Sequence, residues 1–196
     1  MRKNVKQFRE DCLKKMTACK IILDVGGATP FQKDLKPYKD WFKHCDYKTL
    51  DINASYHPDI IGNIEAIPVE DGSVDGVICK AVLEHVQNPF KACVEIYRIL
   101  QPGGKAFFWV PFIYPYHASH GFYGDYWRYT EEGIRHLLKD FSKVEVIRSK
   151  HYFETLVDIG PFPTLIKKIL YPVGRLLDRM IPIQQQASGF YAFAIK

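Results

Sequence analysis

Short apolar runs alternate along the chain with segments in which apolar residues recur at helical spacing. This alternation constrains the fold more than any other feature. Strands that alternate with helices are typical of a mostly parallel sheet with helices on both faces. The strand-like runs are "KIILDV", "YKTLDI", "PDIIGNI", "SVDGVIC", "KAFFWVP", "KVEVIRS" and "GFYAFAIK". We therefore predict a single α/β domain over residues 1–196, with a seven-stranded sheet whose last strand inserts antiparallel.

Helix boundaries are marked clearly at several places along the sequence. Asn88 is a predicted N-cap with Pro89 at the first helical position, and Gly103-Gly104 are predicted to end that helix. Thr130 is expected to cap a later helix. An amphipathic N-terminal helix is predicted over residues 1–18, and a helical insertion over residues 151–186 precedes the last strand.

The composition excludes several classes of protein. No stretch approaches the ~18 uninterrupted apolar residues of a membrane span, and the charged N-terminus lacks the apolar region of a secretion signal. The five cysteines contain no C-x-x-C pair, so we expect reduced thiols in a cytoplasmic protein and no metal site. The net charge of +5 is spread over several segments, which argues against nucleic-acid binding.

The stretch "ILDVGGATP" reads as a buried strand that ends in a tight glycine turn. A dinucleotide fingerprint requires G-x-G-x-x-G, but Ala28 occupies the place of the second glycine and no third glycine follows. A Walker loop would end in Gly-Lys-Ser/Thr, which is also absent. The turn permits close approach of a ligand to the backbone, but the sequence lacks the motifs of a phosphate-binding loop.

Polar residues follow the predicted strands at the edge where parallel sheets bind ligands. Asp24, Gly26 and Gly27 end the first strand. Asp51 ends the second strand, where a carboxylate can accept hydrogen bonds from a ribose diol, and Asn63 follows the third, where an amide can pair with an adenine edge. These residues predict a site that binds a nucleoside and has no phosphate-binding loop.

The order of these motifs resembles that of class I S-adenosylmethionine-dependent methyltransferases, and is similar to small single-domain enzymes of bacterial glycan and surface-polysaccharide functions. The resemblance covers about residues 20–149 and includes "ILDVGGATP", "LDI", "GNIEAIPVEDGSVDGVICKAVLEHV", "NPFKACVEIYRILQPGGKAFFWVP" and "GDYWRYTEEGIRHLL". It implies a Rossmann-like methyltransferase fold with S-adenosylmethionine as cofactor. Ala28 and Pro30 depart from the family pattern, because those positions are usually glycine.

The resemblance also implies a role for individual residues. Those expected to border the methionine part are Asp24, Gly26, Gly27 and Ala28, and Asp51 is expected to bind the ribose. Ile52 would flank the adenine, Asn63 and Ile64 would meet its edge, and Lys80 would begin the loop that faces the sulfonium.

The acceptor is expected to be a hydroxyl of a sugar or another small molecule. "CKAVLEHV" stands where enzymes that methylate amino groups of bases and glutamine often carry Asn/Asp-Pro-Pro-aromatic, which argues against membership of that subgroup. His85, His117 and His120 are the candidate proton acceptors, although backbone capping of His85 and packing of the other two against tyrosines are open alternatives. The candidate substrate wall comprises Tyr116, Asp125, Tyr126, Trp127 and Arg128, with a purely structural Asp125–Arg128 pair as the alternative.

Two other functions and one surface remain open at this stage. A non-catalytic cofactor-binding protein with the same fold is one alternative function, and a nicotinamide-dependent oxidoreductase is the other, disfavoured by the missing third glycine. Apolar residues at helical spacing between residues 163 and 182 alternate with basic ones. They predict either a hairpin that packs on the domain or on a second subunit, or a peripheral contact with an anionic (inner) membrane surface.

Overall fold

The protein folds around one seven-stranded mixed sheet. The computed structural model describes residues 4–27, 30, 31, 33–181, 183 and 186–196. The strands are β1 (Ile21–Val25), β2 (Asp46–Asp51), β3 (Ile60–Ile61), β4 (Val74–Lys80), β5 (Leu100–Pro111), β6 (Lys143–Arg148) and β7 (Gly189–Ile195). Their order is β3-β2-β1-β4-β5-β7-β6. The first five strands pair in parallel and β7 lies antiparallel between β5 and β6, which confirms the predicted fold class.

Five α-helices and three 3₁₀ segments surround the sheet in the described residues. The α-helices are α1 (Val5–Met16), α2 (Pro89–Ile99), α3 (Glu131–Leu137), α4 (Tyr152–Ile159) and α5 (Thr164–Met180). The 3₁₀ segments are Lys33–Phe42, Ala54–Tyr56 and Leu83–His85. The predicted caps of α2 and α3 are confirmed, since Asn88 accepts a hydrogen bond from Lys91 N and Thr130 from Gly133 N.

The predicted end of α2 at Gly103-Gly104 is wrong. The helix ends at Ile99, and β5 begins at the next residue. Leu100 is completely buried and pairs with Val74 of β4, so sheet pairing and burial take over the backbone before the glycines are reached. Gly103 lies within the strand at φ 77°, a conformation that glycine adopts without strain.

The core lies on both faces of the central strands. Adjacent residues of a strand point to opposite faces, and the buried pairs Ile22/Leu23 of β1, Val77/Ile78 of β4 and Phe107/Phe108 of β5 divide between two hydrophobic clusters accordingly. One cluster includes α1, and the other includes α2 and α3. Continuous apolar strands are typical of a sheet that is covered on both sides.

The helical insertion forms an α4–α5 hairpin. Pro172 and Gly174 predict a break into two short helices after residue 163. This prediction is wrong, because α5 is continuous over 17 residues. Gly174 serves packing instead, since a Cβ there would lie 3.3 Å from the backbone nitrogen of Glu154 on α4. Asp178 is buried and accepts hydrogen bonds from the backbone N–H groups of Phe153 and Glu154, which caps the first turn of α4.

Candidate functional site

A cavity of about 1420 Å³ opens at the carboxyl ends of the parallel strands. It lies around the β1–β4 boundary, where the strand order reverses, which is the position at which open α/β sheets bind ligands. One half is lined by residues that follow β1, β2 and β3, and the other half by the Leu83–His85 turn and the segment from Tyr114 to Tyr126. The strand order therefore brings together two sets of residues that are distant in sequence.

The glycine turn after β1 forms the floor of the first half. Gly26 has φ 66°, which favours glycine, and a Cβ there would lie 2.4 Å from Cγ2 of Val82. A Cβ on Gly27 would lie 2.6 Å from Cγ of Asp24. Both positions therefore require the absence of a side chain, and the bare backbone is left facing the cavity. Ala28, which was expected to share this role, lies outside the described residues.

Asp24 is a buried carboxylate beneath this turn. It is 5% exposed, and the Tyr47 hydroxyl donates a hydrogen bond of 2.7 Å to its Oδ2. Burial raises the pKa of Asp24 to about 7, although the Tyr47 hydroxyl and the charge of Lys80 act in the opposite direction. A buried carboxylate with a raised pKa takes up a proton easily. A cation bound in the cavity would stabilise its charged form.

The other residues expected to hold a nucleoside also line the first half of the cavity. Asp51 is 8% exposed at the end of β2, and its Oδ1 accepts a hydrogen bond from Asn53 N. Asn63 accepts from Glu65 N through its side-chain oxygen. Ile52 is exposed, Ile64 is buried and Lys80 is half-buried at the end of β4. All of the cofactor positions predicted among the described residues therefore converge on one cavity wall.

The second half is built around the turn Leu83–His85. Ala81, which precedes it, has φ 57°, a strained conformation for a residue with a side chain. Backbone N–H groups of Tyr126 and Trp127 both donate to the Glu84 carbonyl, and the Tyr129 hydroxyl donates to the Leu83 carbonyl at 2.7 Å. Hydrogen bonds from residues 126–129 thus hold the turn in place beside the cavity.

The turn places His85 and His117 together, with ring centroids 4.8 Å apart. Nδ1 of His85 lies 2.6 Å from the Gly124 carbonyl, so it is the backbone-satisfied histidine anticipated as an alternative, but its ring also lines the cavity. The Glu84 carboxylate raises the pKa of His117, helped by the Pro115 carbonyl and by Asp125. His120 is exposed on the cavity lining and does not join this pair.

The predicted substrate wall divides into two groups. Tyr116 and Tyr126 are exposed and line the cavity. Asp125 and Arg128 form an ion pair with a 2.7 Å contact, Arg128 also donates to the Pro115 carbonyl, and Asp125 accepts from His117 N. Arg128 lowers the pKa of Asp125 to about 2. This geometry favours the structural alternative for the pair.

Trp127 also serves to position the loop, because its indole N–H donates to the Val86 carbonyl at 2.9 Å.

Sequence reasoning missed two functional candidates. Tyr47 gave no sign of contacting Asp24, because the contact depends on the pairing of β1 with β2. Glu84 was not among the predicted site residues, although it adjoins His85 in "LEHV". It is completely buried beside His85 and His117. The adjacency of an acid and a histidine after a predicted strand was the available sign.

Comparison with known proteins connects this geometry to a family. Residues 40–108 match the family described as "Methyltransferase domain". Over 46 residues the chain is 50% identical to thiol S-methyltransferase TMT1B of Homo sapiens, a match that covers 24% of this chain and 19% of that protein. Over 106 residues it is 31% identical to demethylmenaquinone methyltransferase of Renibacterium salmoninarum, with 44% of each protein covered. The chain thus spans less than half the length of these relatives.

A solved structure shares the fold across nearly the whole chain. It is described as an S-adenosylmethionine-dependent methyltransferase from Archaeoglobus fulgidus, with a TM-score of 0.60, 13% sequence identity, and coverage of 98% of this chain and 95% of that one. The expected Rossmann-like fold of class I S-adenosylmethionine-dependent methyltransferases is therefore confirmed, and the expected cofactor agrees with the family and with this neighbour. The glycan subtype stays a prediction.

Proposed function

We propose that the protein transfers a methyl group from S-adenosylmethionine to a hydroxyl of a sugar or another small molecule. The observation that carries this proposal is the single cavity that joins a nucleoside half, containing Asp51 and Asn63, to a half containing His85 and His117. A bisubstrate reaction needs the two reactants held side by side, because proximity and orientation supply much of the rate enhancement.

The first half of the cavity fits S-adenosylmethionine by the test of its own geometry. Gly26 and Gly27 line the cavity at positions where a Cβ would collide with Val82 and Asp24, and the buried Asp24 favours a cationic ligand. Asp51 would accept hydrogen bonds from the ribose, Ile52 would flank the adenine, and Asn63 with Ile64 would meet its edge. Lys80 would border the sulfonium through its backbone. When bound, the cofactor supplies an electrophilic methyl group on a sulfonium sulfur.

The second half is suited to an acceptor with a polar group on an apolar body. Exposed aromatic side chains of Tyr114, Tyr116, Tyr123 and Tyr126 line it, and such side chains pack against sugar rings and other small molecules while keeping a polar end. His85 and His117 also line it, with the buried Glu84 beside them, and this group would activate the acceptor hydroxyl. Because two relatives are described as a thiol methyltransferase and a demethylmenaquinone methyltransferase, a substrate screen should include acceptors of those kinds.

Two alternative functions differ from this proposal in measurable ways. A nicotinamide enzyme would open an α-helix after its glycine loop, whereas the described residues after β1 enter a 3₁₀ segment at Lys33. A non-catalytic binding protein would bind S-adenosylmethionine without turning over any acceptor.

The direct test is calorimetry with S-adenosylmethionine and with NAD, followed by a screen of sugar, lipid-linked sugar and phenol acceptors with labelled cofactor. Loss of one charge-assisted hydrogen bond costs roughly 1.5–3 kcal/mol, so Asp51→Ala should weaken S-adenosylmethionine binding about 10- to 100-fold. Asp46→Ala, an exposed position at the other end of β2, is the matched control. Equal affinity in both folded variants would refute the ribose assignment.

We further propose that α5 rests on an anionic membrane surface, which would suit a lipid-linked acceptor. Six of its apolar side chains share one exposed face, with basic side chains bordering it; these are Leu165, Ile166, Ile169, Val173, Leu176 and Met180, with Lys168, Arg175 and Arg179. The stripe was expected to pack on the domain as one alternative, but α5 instead contacts α4 through Gly174 and Asp178. None of the described helices is long and apolar enough to cross a bilayer.

Vesicle flotation tests the membrane proposal. The chain should float with anionic vesicles at low salt, and less at high salt because screening weakens the attraction of the basic side chains. Ile169→Gln should reduce flotation, whereas Val94→Gln, at a similarly exposed apolar position on α2, should not. Absence of flotation at low salt, together with a dimer in sedimentation, would assign the face to a second subunit.

A further inference from the structure

Glu84 is a completely buried carboxylate for which the described residues offer no hydrogen-bond donor within bonding distance. Both of its side-chain oxygens lack such a partner, and its side chain is 0% exposed. A buried carboxylate is normally paired, hydrogen-bonded or bound to a metal, because leaving it alone is strongly unfavourable. Two histidine nitrogens lie within ion-pair distance of its Oε1 atom, but neither is close enough for a hydrogen bond.

The Nε2 atoms of both imidazoles approach the same oxygen of Glu84, an arrangement that suits metal ligation. Nε2 of His85 lies 3.8 Å from Glu84 Oε1, and Nε2 of His117 lies 3.6 Å from the same oxygen. Each opposite nitrogen, Nδ1, is held by a backbone carbonyl, that of Gly124 at 2.6 Å for His85 and that of Pro115 at 3.0 Å for His117. A carbonyl only accepts, so each Nδ1 carries a proton, and in a neutral ring each Nε2 keeps a lone pair close to the same Glu84 oxygen.

We propose that Glu84, His85 and His117 bind one divalent transition-metal ion, of which Zn²⁺ is the representative. Their ligand atoms all lie within 4.8 Å of one another. Ligand atoms around tetrahedral Zn²⁺ lie about 3.3 Å apart, so the contacts of Glu84 would shorten by roughly 0.3–0.5 Å. Two imidazoles and one carboxylate suit Zn²⁺, Mn²⁺ or Fe²⁺ better than Mg²⁺ or Ca²⁺, which prefer oxygen ligands.

Further contacts hold the proposed ligands in place. Asp125 lies 3.3 Å from Nδ1 of His117 and also accepts from its backbone N–H, while Arg128 fixes Asp125. This is the carboxylate–histidine support that orients metal-binding imidazoles. The Asp125–Arg128 pair would therefore orient a metal ligand, whereas its geometry does not favour a role in substrate binding.

The proposed metal ion would face the second half of the cavity, and some of its coordination positions would be left open there. His85 and His117 line that cavity between Tyr123 and the end of β4. Three protein ligands with an open position are typical of catalytic metal sites. Resting on the proposed function, we infer that the acceptor hydroxyl coordinates this ion, which would lower the pKa of that hydroxyl so that its proton passes to water. The oxygen would then bond to the methyl carbon as the carbon–sulfur bond breaks, and S-adenosylhomocysteine would leave. Metal binding itself does not depend on that function.

The test is calorimetric titration of the chelator-treated full chain with ZnCl₂, MnCl₂ and MgCl₂, with Co²⁺ absorption as a second readout of imidazole coordination. We expect one equivalent of Zn²⁺ per chain. Loss of even a supporting partner weakens metal sites about 10- to 100-fold, so Glu84→Gln and His117→Gln should each weaken Zn²⁺ binding at least that much. His136→Gln, an exposed histidine on α3, is the matched control and should bind normally.

The outcomes separate the metal site from the proposed function. S-adenosylmethionine affinity, measured on the same variants, reports whether each remains folded. Failure of the parent to bind Zn²⁺, equal Zn²⁺ binding by all three variants, or binding of Mg²⁺ alone would overturn the metal site. Absence of S-adenosylmethionine binding in a parent that holds one Zn²⁺ would instead refute the methyltransferase proposal and leave the metal site standing.

Discussion

Replacing Asp24 with Asn should remove a pH dependence that is built into the cofactor half of the cavity. Burial raises the pKa of Asp24 from an ordinary 3.8 to about 7 in the folded protein. The folded state therefore prefers the protonated acid. The stability contributed by this preference is fully present below pH 3.8 and is lost as pH rises through about 7. Asp24→Asn keeps a neutral side chain of the same shape and should lack this loss.

The size of the effect follows from the two pKa values. At about 1.36 kcal/mol per pKa unit, the difference between 3.8 and about 7 corresponds to about 4 kcal/mol. In the absence of cofactor, Asp24→Asn should therefore gain stability over the parent as pH rises from 4 to 8, by up to about 4 kcal/mol. Other titrating groups cancel in this difference, because both proteins contain them.

Urea unfolding at a series of pH values measures the difference. Asp59→Asn is a control of opposite sign, because hydrogen bonds from Thr49 lower the pKa of Asp59. Removal of that carboxylate should cost stability near neutral pH, and the cost should shrink as the medium is acidified. A stability difference between Asp24→Asn and the parent that stays constant from pH 4 to 8 would refute the burial argument.

The same substitution should weaken S-adenosylmethionine binding near pH 8, where the parent presents a carboxylate to a cationic ligand. Cofactor affinity of the parent should accordingly rise with pH through about 7, and that of Asp24→Asn should not.

Two further substitutions test the cradle and the hairpin. Gly26→Ala should reduce S-adenosylmethionine affinity in calorimetry, because the left-handed backbone and the 2.4 Å approach to Val82 force the turn to move, whereas Gly121→Ala meets no atom within 4 Å and isolates the backbone strain alone. Equal losses in the two variants would contradict the role of close packing at Gly26. Asp178→Ala should destabilise the hairpin by about 0.5–2 kcal/mol through loss of the α4 cap, measured by urea unfolding, and an unchanged unfolding midpoint would contradict the capping role.

Local sequence rules predicted the elements wherever the deciding interaction lies within a few residues. The caps at Asn88 and Thr130 were predicted correctly. Local rules failed where distant residues compete with them. Pairing of Leu100 with Val74 ended α2 before its glycines, and packing on α4 kept Gly174 inside a continuous helix.

The sequence by itself determined the fold class and the residues at the carboxyl ends of the strands, because hydrophobic periodicity and the alternation of strands with helices along the chain require only short-range information. Only the tertiary structure decided which of those residues meet. Tyr47 reaches Asp24 from 23 residues away, and His85 is fixed by a carbonyl 39 residues along the chain. Parallel strands bring their ends to one edge whatever their separation in sequence. The enclosure of Glu84 between two histidines is the result of that convergence, and no local pattern determines it.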